Sequence, residues 1–166
     1  MIRFRFRFGK NVTESVRKEM RRYIFDSRGW KALGYDLVEV EDDSRKCDVV
    51  IRLQSARVMN ELYGDIPRLR DMSVTDSGAR PMRIDLHETN WFAPPDVYRA
   101  NAKLNMTREE AYRAYLVNHE LGHALGYGHS ESVAEEVCPV MYQQTRGTGG
   151  NSFCSANPWP AVRAES

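Results

Sequence analysis

A chain of 166 residues has the length of a single domain, and 42% hydrophobic with 28% charged residues is the composition of an ordinary globular protein. The formal net charge of +1 gives no general attraction to nucleic acid or to a membrane, and we expect neither as a partner. No apolar run reaches the roughly 18 residues that span a bilayer, and residues 1–10 lack the apolar region of a signal peptide.

Phenylalanine and arginine alternate strictly over residues 2–8. This period of two predicts a strand with one buried and one solvated face. Interleaved arginine and phenylalanine could also bind nucleic acid, but a half-buried strand explains the pattern more simply. Apolar residues at helical spacing then predict a helix over 11–25, with Gly29 as the residue that stops it.

Further along the chain, four segments have the apolar pattern of strands: 36–40, 48–53, 72–75 and 82–86. The polar residues 41–46 predict a turn between the first two of these strands. Residues 90–104 contain two adjacent prolines and predict a long loop, a feature that often borders a functional site.

The clearest helix begins after a capping box formed by Thr107 and Glu110, which places its first residue near Arg108. Gly126 can end this helix in a left-handed turn. The order strand, helix, strands and late helix predicts an α+β domain with a mixed sheet.

This helix carries the only strong chemical motif. His119 and His123 are four residues apart, so both imidazoles project from one helix face and suit two corners of a zinc tetrahedron. Glu120 is rotated by about 100° from His119 and is better placed to take a proton from water than to bind the metal. The arrangement is H-E-x-x-H.

A third ligand fits the same scheme, because Gly126 lets the chain leave the helix and His129 follows three residues later. H-E-x-x-H alone could arise by accident. With Gly126 and His129 added, a chance match is on the order of one in 10⁵ for a chain of this length. The alternative is a helix whose histidines are ordinary core or surface residues.

The pattern H-E-x-x-H-x-x-G-x-x-H resembles the signature of the metzincin zinc peptidases, which is followed in that clan by a Met-turn. Met141 is the candidate for that turn, and Ser130 and Tyr142 make the matrixins the most similar variant. The resemblance implies one catalytic Zn²⁺, an apolar methionine beneath its ligands, and a strand along the upper rim of the cleft, for which we predict 82–87. It also implies that the P1′ side chain of a substrate lies near residues 141–146.

A longer resemblance is to a family of small, mostly secreted bacterial domains of uncharacterised function that have the same zinc signature. The matching pieces lie in the same order along nearly the whole chain: 26–30, 83–91, 117–123, 138–145 and 154–160. Tyr142 stands where that family usually has Gln, and VAEEVCPV replaces a Pro/Gly-rich connector. The resemblance favours a disulfide between Cys138 and Cys154 over two reduced cysteines, and it favours a secreted protein.

Several other residues have weaker signals. His87 could contact substrate or hold a second metal, but we interpret it as an exposed strand residue. Asn118 could orient a neighbour, although ordinary helix filler is the preferred interpretation. Cys47 is expected to be a small core residue rather than a nucleophile. The three tryptophans are interpreted as core and loop anchors.

We therefore expect a compact, single-domain, metzincin-like α+β fold over 1–166, with a mixed twisted sheet packed on the active-site helix. The N-terminal part is 1–126, and the short irregular part 127–166 holds the third ligand and the Met-turn. The predicted function is a monomeric zinc metalloendopeptidase acting on peptides or proteins with Glu120 as general base. The alternatives are an inactive zinc-stabilised binding domain and a zinc hydrolase of a non-peptide amide.

Overall fold

The computed structural model describes residues 1–10, 12–41, 46–134 and 136–162. They form an α+β domain around a five-stranded sheet with the strand order β2-β1-β3-β5-β4. The strands are β1 (Ile2–Phe6), β2 (Leu37–Glu39), β3 (Val49–Gln54), β4 (Val74–Asp76) and β5 (Met82–His87). β1, β2, β3 and β5 run parallel, and β4 pairs antiparallel with β5. The predicted mixed sheet is confirmed.

Four α-helices accompany the sheet in the described ranges: α1 (Glu14–Ile24), α2 (Ala56–Tyr63), α3 (Glu88–Phe92) and α4 (Arg108–Ala124). Short 3₁₀ turns span Trp30–Leu33, Pro67–Leu69, Ala102–Leu104 and Gln144–Arg146. None of the helices described has both the length and the apolar character needed to cross a bilayer. The prediction of a loop over 90–104 is wrong in part, because this range includes the end of α3 and the 3₁₀ turn Ala102–Leu104. The turn predicted at 41–46 lies mostly outside the described residues.

The main core lies between one sheet face and the helices α1 and α4. Phe4 and Phe6 of β1 are fully buried there with Met20 of α1, as the alternating pattern predicts. Burial of such apolar side chains contributes about 1.5–3 kcal/mol each. The sheet thus holds α4, which carries the histidine motif, against its apolar face.

On the other face of the sheet α2 packs over β5, and this helix is not predicted from the sequence. Ser55 caps this helix by accepting a hydrogen bond from the backbone N–H of Val58 at 3.3 Å. Beneath α2, the fully buried Asp85 accepts two hydrogen bonds from Arg52, at 2.6 and 2.9 Å, and one from the hydroxyl of Tyr63. A buried carboxylate is tolerated because it is paired in this way.

Two expectations about β5 are wrong, one because of its place in the sheet and one because of the helix that covers it. β3 occupies one of its edges and β4 the other, so 82–87 cannot be the free strand along a cleft. His87, expected to be exposed, is only 4% exposed because it lies on the face that α2 covers. The outer strand next to the histidine motif is β4.

Candidate metal centre and adjoining cleft

The two ends of α4 are built as the sequence predicts. At the N-terminus, the Thr107 side chain accepts a hydrogen bond from the backbone N–H of Glu110 at 3.1 Å, and its hydroxyl donates to the Glu110 carboxylate at 3.0 Å. At the C-terminus, Gly126 has φ 100°. The backbone N–H groups of Gly126 and Tyr127 donate to the carbonyls of His123 and Gly122, which is a Schellman motif. This turn reverses the chain so that His129 returns to the helix.

The three predicted ligands, His119, His123 and His129, lie together with their ligating nitrogens within 4.8 Å of one another. Nδ1 of His119 donates to the carbonyl of Val140 at 2.8 Å, and Nδ1 of His123 donates to the carbonyl of Tyr127 at 2.8 Å. Because a carbonyl can only accept, Nδ1 of each ring carries a proton, and Nε2 is the nitrogen left to face a metal. Such outer hydrogen bonds are those that orient metal-binding histidines.

The donor set fits a zinc ion. Nε2 of His123 is 3.1 Å from Nε2 of His129, and two ligands at tetrahedral corners around zinc would be about 3.3–3.4 Å apart. Burial lowers the pKa of His119 to about 3, because the interior disfavours the charged imidazolium. The ring is therefore in the neutral form that binds metals.

Glu120 lies beside this cluster and is 4% exposed. Thr75 of β4 donates to its carboxylate Oε2 at 2.5 Å. Burial raises the pKa of Glu120 to about 7, while the hydrogen bond from Thr75 acts in the opposite direction and the charge of Asp85 adds to the rise. No sequence signal points to Thr75, because nothing in a short strand marks a threonine as the partner of a residue 45 positions later.

A cleft of about 430 Å³ opens over the cluster. One wall is made by β4 and the residue before it, with Ser73, Val74 and Thr75, and by the turn around Leu69. Gln143 contributes to the cleft as well, and its Nε2 lies 3.1 Å from Nε2 of His129. The histidine cluster and Glu120 are thus reached from an open groove that runs beside the outer strand of the sheet.

Met141, the predicted Met-turn residue, is buried against α4 at Gly122. A Cβ added to Gly122 would lie 2.3 Å from the sulfur of Met141 and 2.8 Å from the ring of Trp30. Ser130 donates from its backbone N–H to the carbonyl of Met141 at 3.0 Å, which ties the turn to the segment after His129. The glycine inside H-E-L-G-H is therefore required by packing.

A disulfide joins Cys138 to Cys154 with a sequence separation of 16, which confirms the predicted pair, and Cys47 is free. The loop it closes contains the Met-turn. Asn157, buried just beyond this loop, donates from Nδ2 to the carbonyls of Cys138 and Trp159 at 2.9 and 3.1 Å. Its backbone N–H donates to the side chain of Gln144, so the irregular C-terminal part is held by buried amides.

Trp30, the last residue of the segment 26–30, contacts both α4 and Tyr127. Its Nε1 donates to the carbonyl of Asn118 at 2.8 Å, and its ring stacks on Tyr127 with the centroids 5.0 Å apart. Asn118 is fully buried, and its Nδ2 donates to the carbonyl of Pro158 at 3.0 Å. Asn118 is therefore not helix filler, because it links α4 to the C-terminal segment.

No curated protein and no solved structure matches the chain. Residues 8–163 match a family described as protein of unknown function, DUF3152. The matched range includes every residue of the histidine cluster, Glu120, Thr75 and the disulfide. The chain therefore belongs to the DUF3152 family of proteins of unknown function.

Proposed function

We propose that the protein is a zinc-dependent metalloendopeptidase of the metzincin type. The observation that carries the proposal is the meeting of three histidine side chains, two from α4 and one from the segment after it, beside the buried carboxylate of Glu120 and open to a cleft. Its sequence support is the H-E-x-x-H-x-x-G-x-x-H signature followed by Met141. Three histidine ligands leave a fourth position free, as catalytic zinc sites do.

In this proposal His119, His123 and His129 hold the ion. Zinc, when bound, supplies a Lewis acid that polarises a carbonyl and makes water nucleophilic near neutral pH. Glu120 accepts the proton of the attacking water and then donates it to the leaving amine. Thr75 holds Oε2 of that carboxylate, so Oε1 is left for the proton.

The substrate in this proposal is an extended peptide. β4 hydrogen-bonds to β5 along one edge, and its residues also line the cleft. A peptide that adds to the other edge of β4 would gain main-chain hydrogen bonds and lie across the histidine cluster. Its P1′ side chain would then lie near residues 141–146.

Two other functions use the same ligands: a zinc-stabilised binding domain without catalysis, and a hydrolase of a non-peptide amide. The buried Glu120 carboxylate with its Thr75 partner favours catalysis. A domain that only binds needs no acid at position 120, and an apolar residue there would avoid the free-energy cost of burying a carboxylate. The ligand set does not separate peptide from other amide substrates.

The test compares wild type with Glu120→Gln. Glu109→Gln serves as the matched control, since Glu109 lies in the exposed first turn of the same helix. Metal content is measured by mass spectrometry, and cleavage is followed on a mixture of denatured proteins. We expect about one zinc per chain in all three proteins and chelator-sensitive cleavage by wild type and Glu109→Gln only. Zinc without cleavage in any of them would favour the binding domain or a non-peptide substrate, and no zinc would overturn the proposal.

A further inference from the structure

A second cavity, of about 270 Å³, is lined by Met141 of the Met-turn and meets the cleft at Tyr127. We call it the Trp30 pocket. Its buried lining comes from Trp30, Val140 and Met141. Its exposed lining includes Leu33 (37% exposed), Tyr127 (42%) and Val133 (55%). Exposed apolar side chains gathered around a concavity are typical of an interaction site, since isolated ones are normal on any surface.

Two carboxylates line the same pocket. Glu131 and Glu136 are both exposed, and within the described ranges neither has an ion-pair partner. Their charges give the mouth of the pocket a negative potential, which attracts a cation and repels an anionic membrane surface. The pocket thus combines an apolar interior with two carboxylates that have no ion-pair partner among the described residues.

We propose that the Trp30 pocket binds a peptide segment in which a large apolar side chain is flanked by lysine or arginine. The apolar side chain enters between Trp30 and Val133, and the basic neighbours face Glu131 and Glu136. A volume of about 270 Å³ is just below the roughly 300–1,000 Å³ of typical ligand sites, so it suits one or two side chains rather than a lipid or a large cofactor. Opposite charges at the rim of such a site determine partner selection more than total affinity.

The pocket adjoins the metal centre through Tyr127. This residue lines both the Trp30 pocket and the cleft, and its carbonyl orients His123. A segment held in the pocket would therefore lie next to the groove in which we place the substrate. The binding itself does not depend on the proposed catalysis, so the two proposals can fail separately.

The experiment uses the full chain with Glu120→Gln, so that no peptide is cleaved during the measurement. Fluorescence anisotropy at low salt compares three labelled peptides, Gly-Lys-Leu-Lys-Gly, Gly-Lys-Ser-Lys-Gly and Gly-Glu-Leu-Glu-Gly. We expect saturable binding of the first, about tenfold tighter than of the other two, because it alone has both the apolar group and the positive charge. The double variant Glu131→Lys/Glu136→Lys should reverse the charge preference and bind Gly-Glu-Leu-Glu-Gly more tightly.

The matched control is Glu61→Lys/Glu109→Lys, which changes the net charge equally at exposed helical positions away from the pocket. It should keep the wild-type preference. Equal weakening by both double variants would mean that only the net charge matters and would overturn the proposal. So would the absence of saturable binding by any of the peptides, or tighter binding to phosphatidylglycerol vesicles than to Gly-Lys-Leu-Lys-Gly.

Discussion

The hydroxyl of Thr75 lies 2.5 Å from Oε2 of Glu120 and 3.1 Å from the carbonyl oxygen of the same residue. This contact joins the outer strand of the sheet to the helix that carries the histidines. A hydrogen bond to a charged group is worth about 1.5–3 kcal/mol, and a buried carboxylate that loses its donor keeps the cost of burial. The orientation of Glu120 therefore depends on β4 as well as on its own helix.

Replacing Thr75 tests this dependence. We expect Thr75→Val to lower the kcat of peptide cleavage by about 10- to 100-fold, which corresponds to the loss of one charge-assisted hydrogen bond. KM and zinc content should change little, because the ligands are untouched. Thr75→Ser keeps the hydroxyl and should restore most of the activity. A Val variant with unchanged kcat, or a Ser variant as poor as Val, would show that the contact has no role in the reaction.

Gly122 is expected to tolerate no side chain. Gly122→Ala places a methyl group against the Met141 sulfur and the Trp30 ring, and overpacking of this kind costs about 1–3 kcal/mol. Urea unfolding measures the loss of stability, and competition with a chelator measures zinc affinity, which should fall because both flanking ligands shift. Gly9→Ala is the control, since nothing lies within 4 Å of its added Cβ. Equal stability of the two variants would contradict the packing argument.

The disulfide closes a loop of 16 residues around the Met-turn. Loop-closure entropy assigns it about 3 kcal/mol, so Cys138→Ala/Cys154→Ala should lower the free energy of unfolding by about that amount. The half-buried Cys47 is unpaired, and Cys47→Ala should have a much smaller effect. Urea titrations of both variants without reductant measure the difference. A double variant no less stable than Cys47→Ala would mean that the bond constrains nothing in the unfolded chain.

We expect the buried His87 to lower the stability of the folded protein at acid pH. Burial lowers its pKa below 6.5, although Asp71 and Glu88 oppose the shift. Since the folded pKa is the lower one, the unfolded chain binds the proton first, and stability falls as the pH drops through about 6.5 toward the folded pKa. His87→Gln does not titrate and should lose less stability between about pH 7 and pH 5. Both proteins are measured at the same metal loading, so the clustered histidines contribute equally. Parallel pH curves for the two would exclude His87 as the cause.

Local signals in the sequence predicted the features that depend on neighbouring residues. The Thr107–Glu110 box and Gly126 set the ends of α4 within one turn, and the spacing of His119, His123 and His129 placed three nitrogens together. These features follow from helix geometry and capping, which need no knowledge of distant segments.

The features that the sequence did not reveal depend on long-range pairing. Strands 72–75 and 82–86 were both recognised, but which of them lies at the sheet edge is a matter of topology, and the rim strand was assigned to the wrong one. The exposure of His87 is predicted wrongly for a related reason, because the sequence does not reveal that α2 covers it. Thr75 and the carbonyl of Val140 act on α4 from 45 and 21 positions away, and no local pattern encodes such contacts.

The bracing of α4 by Trp30 and Pro158 has a consequence for the order of assembly. Trp30, 88 positions before Asn118, donates a hydrogen bond to its backbone carbonyl. The carbonyl of Pro158, 40 positions after Asn118, accepts a hydrogen bond from its side-chain amide. During synthesis Trp30 leaves the ribosome before α4 does, whereas Pro158 follows Asn118 by 40 residues. The carbonyls that orient His123 and His119 belong to Tyr127 and Val140, so both have been synthesised before Pro158, and the Asn118–Pro158 bond is the last of these supports to become available.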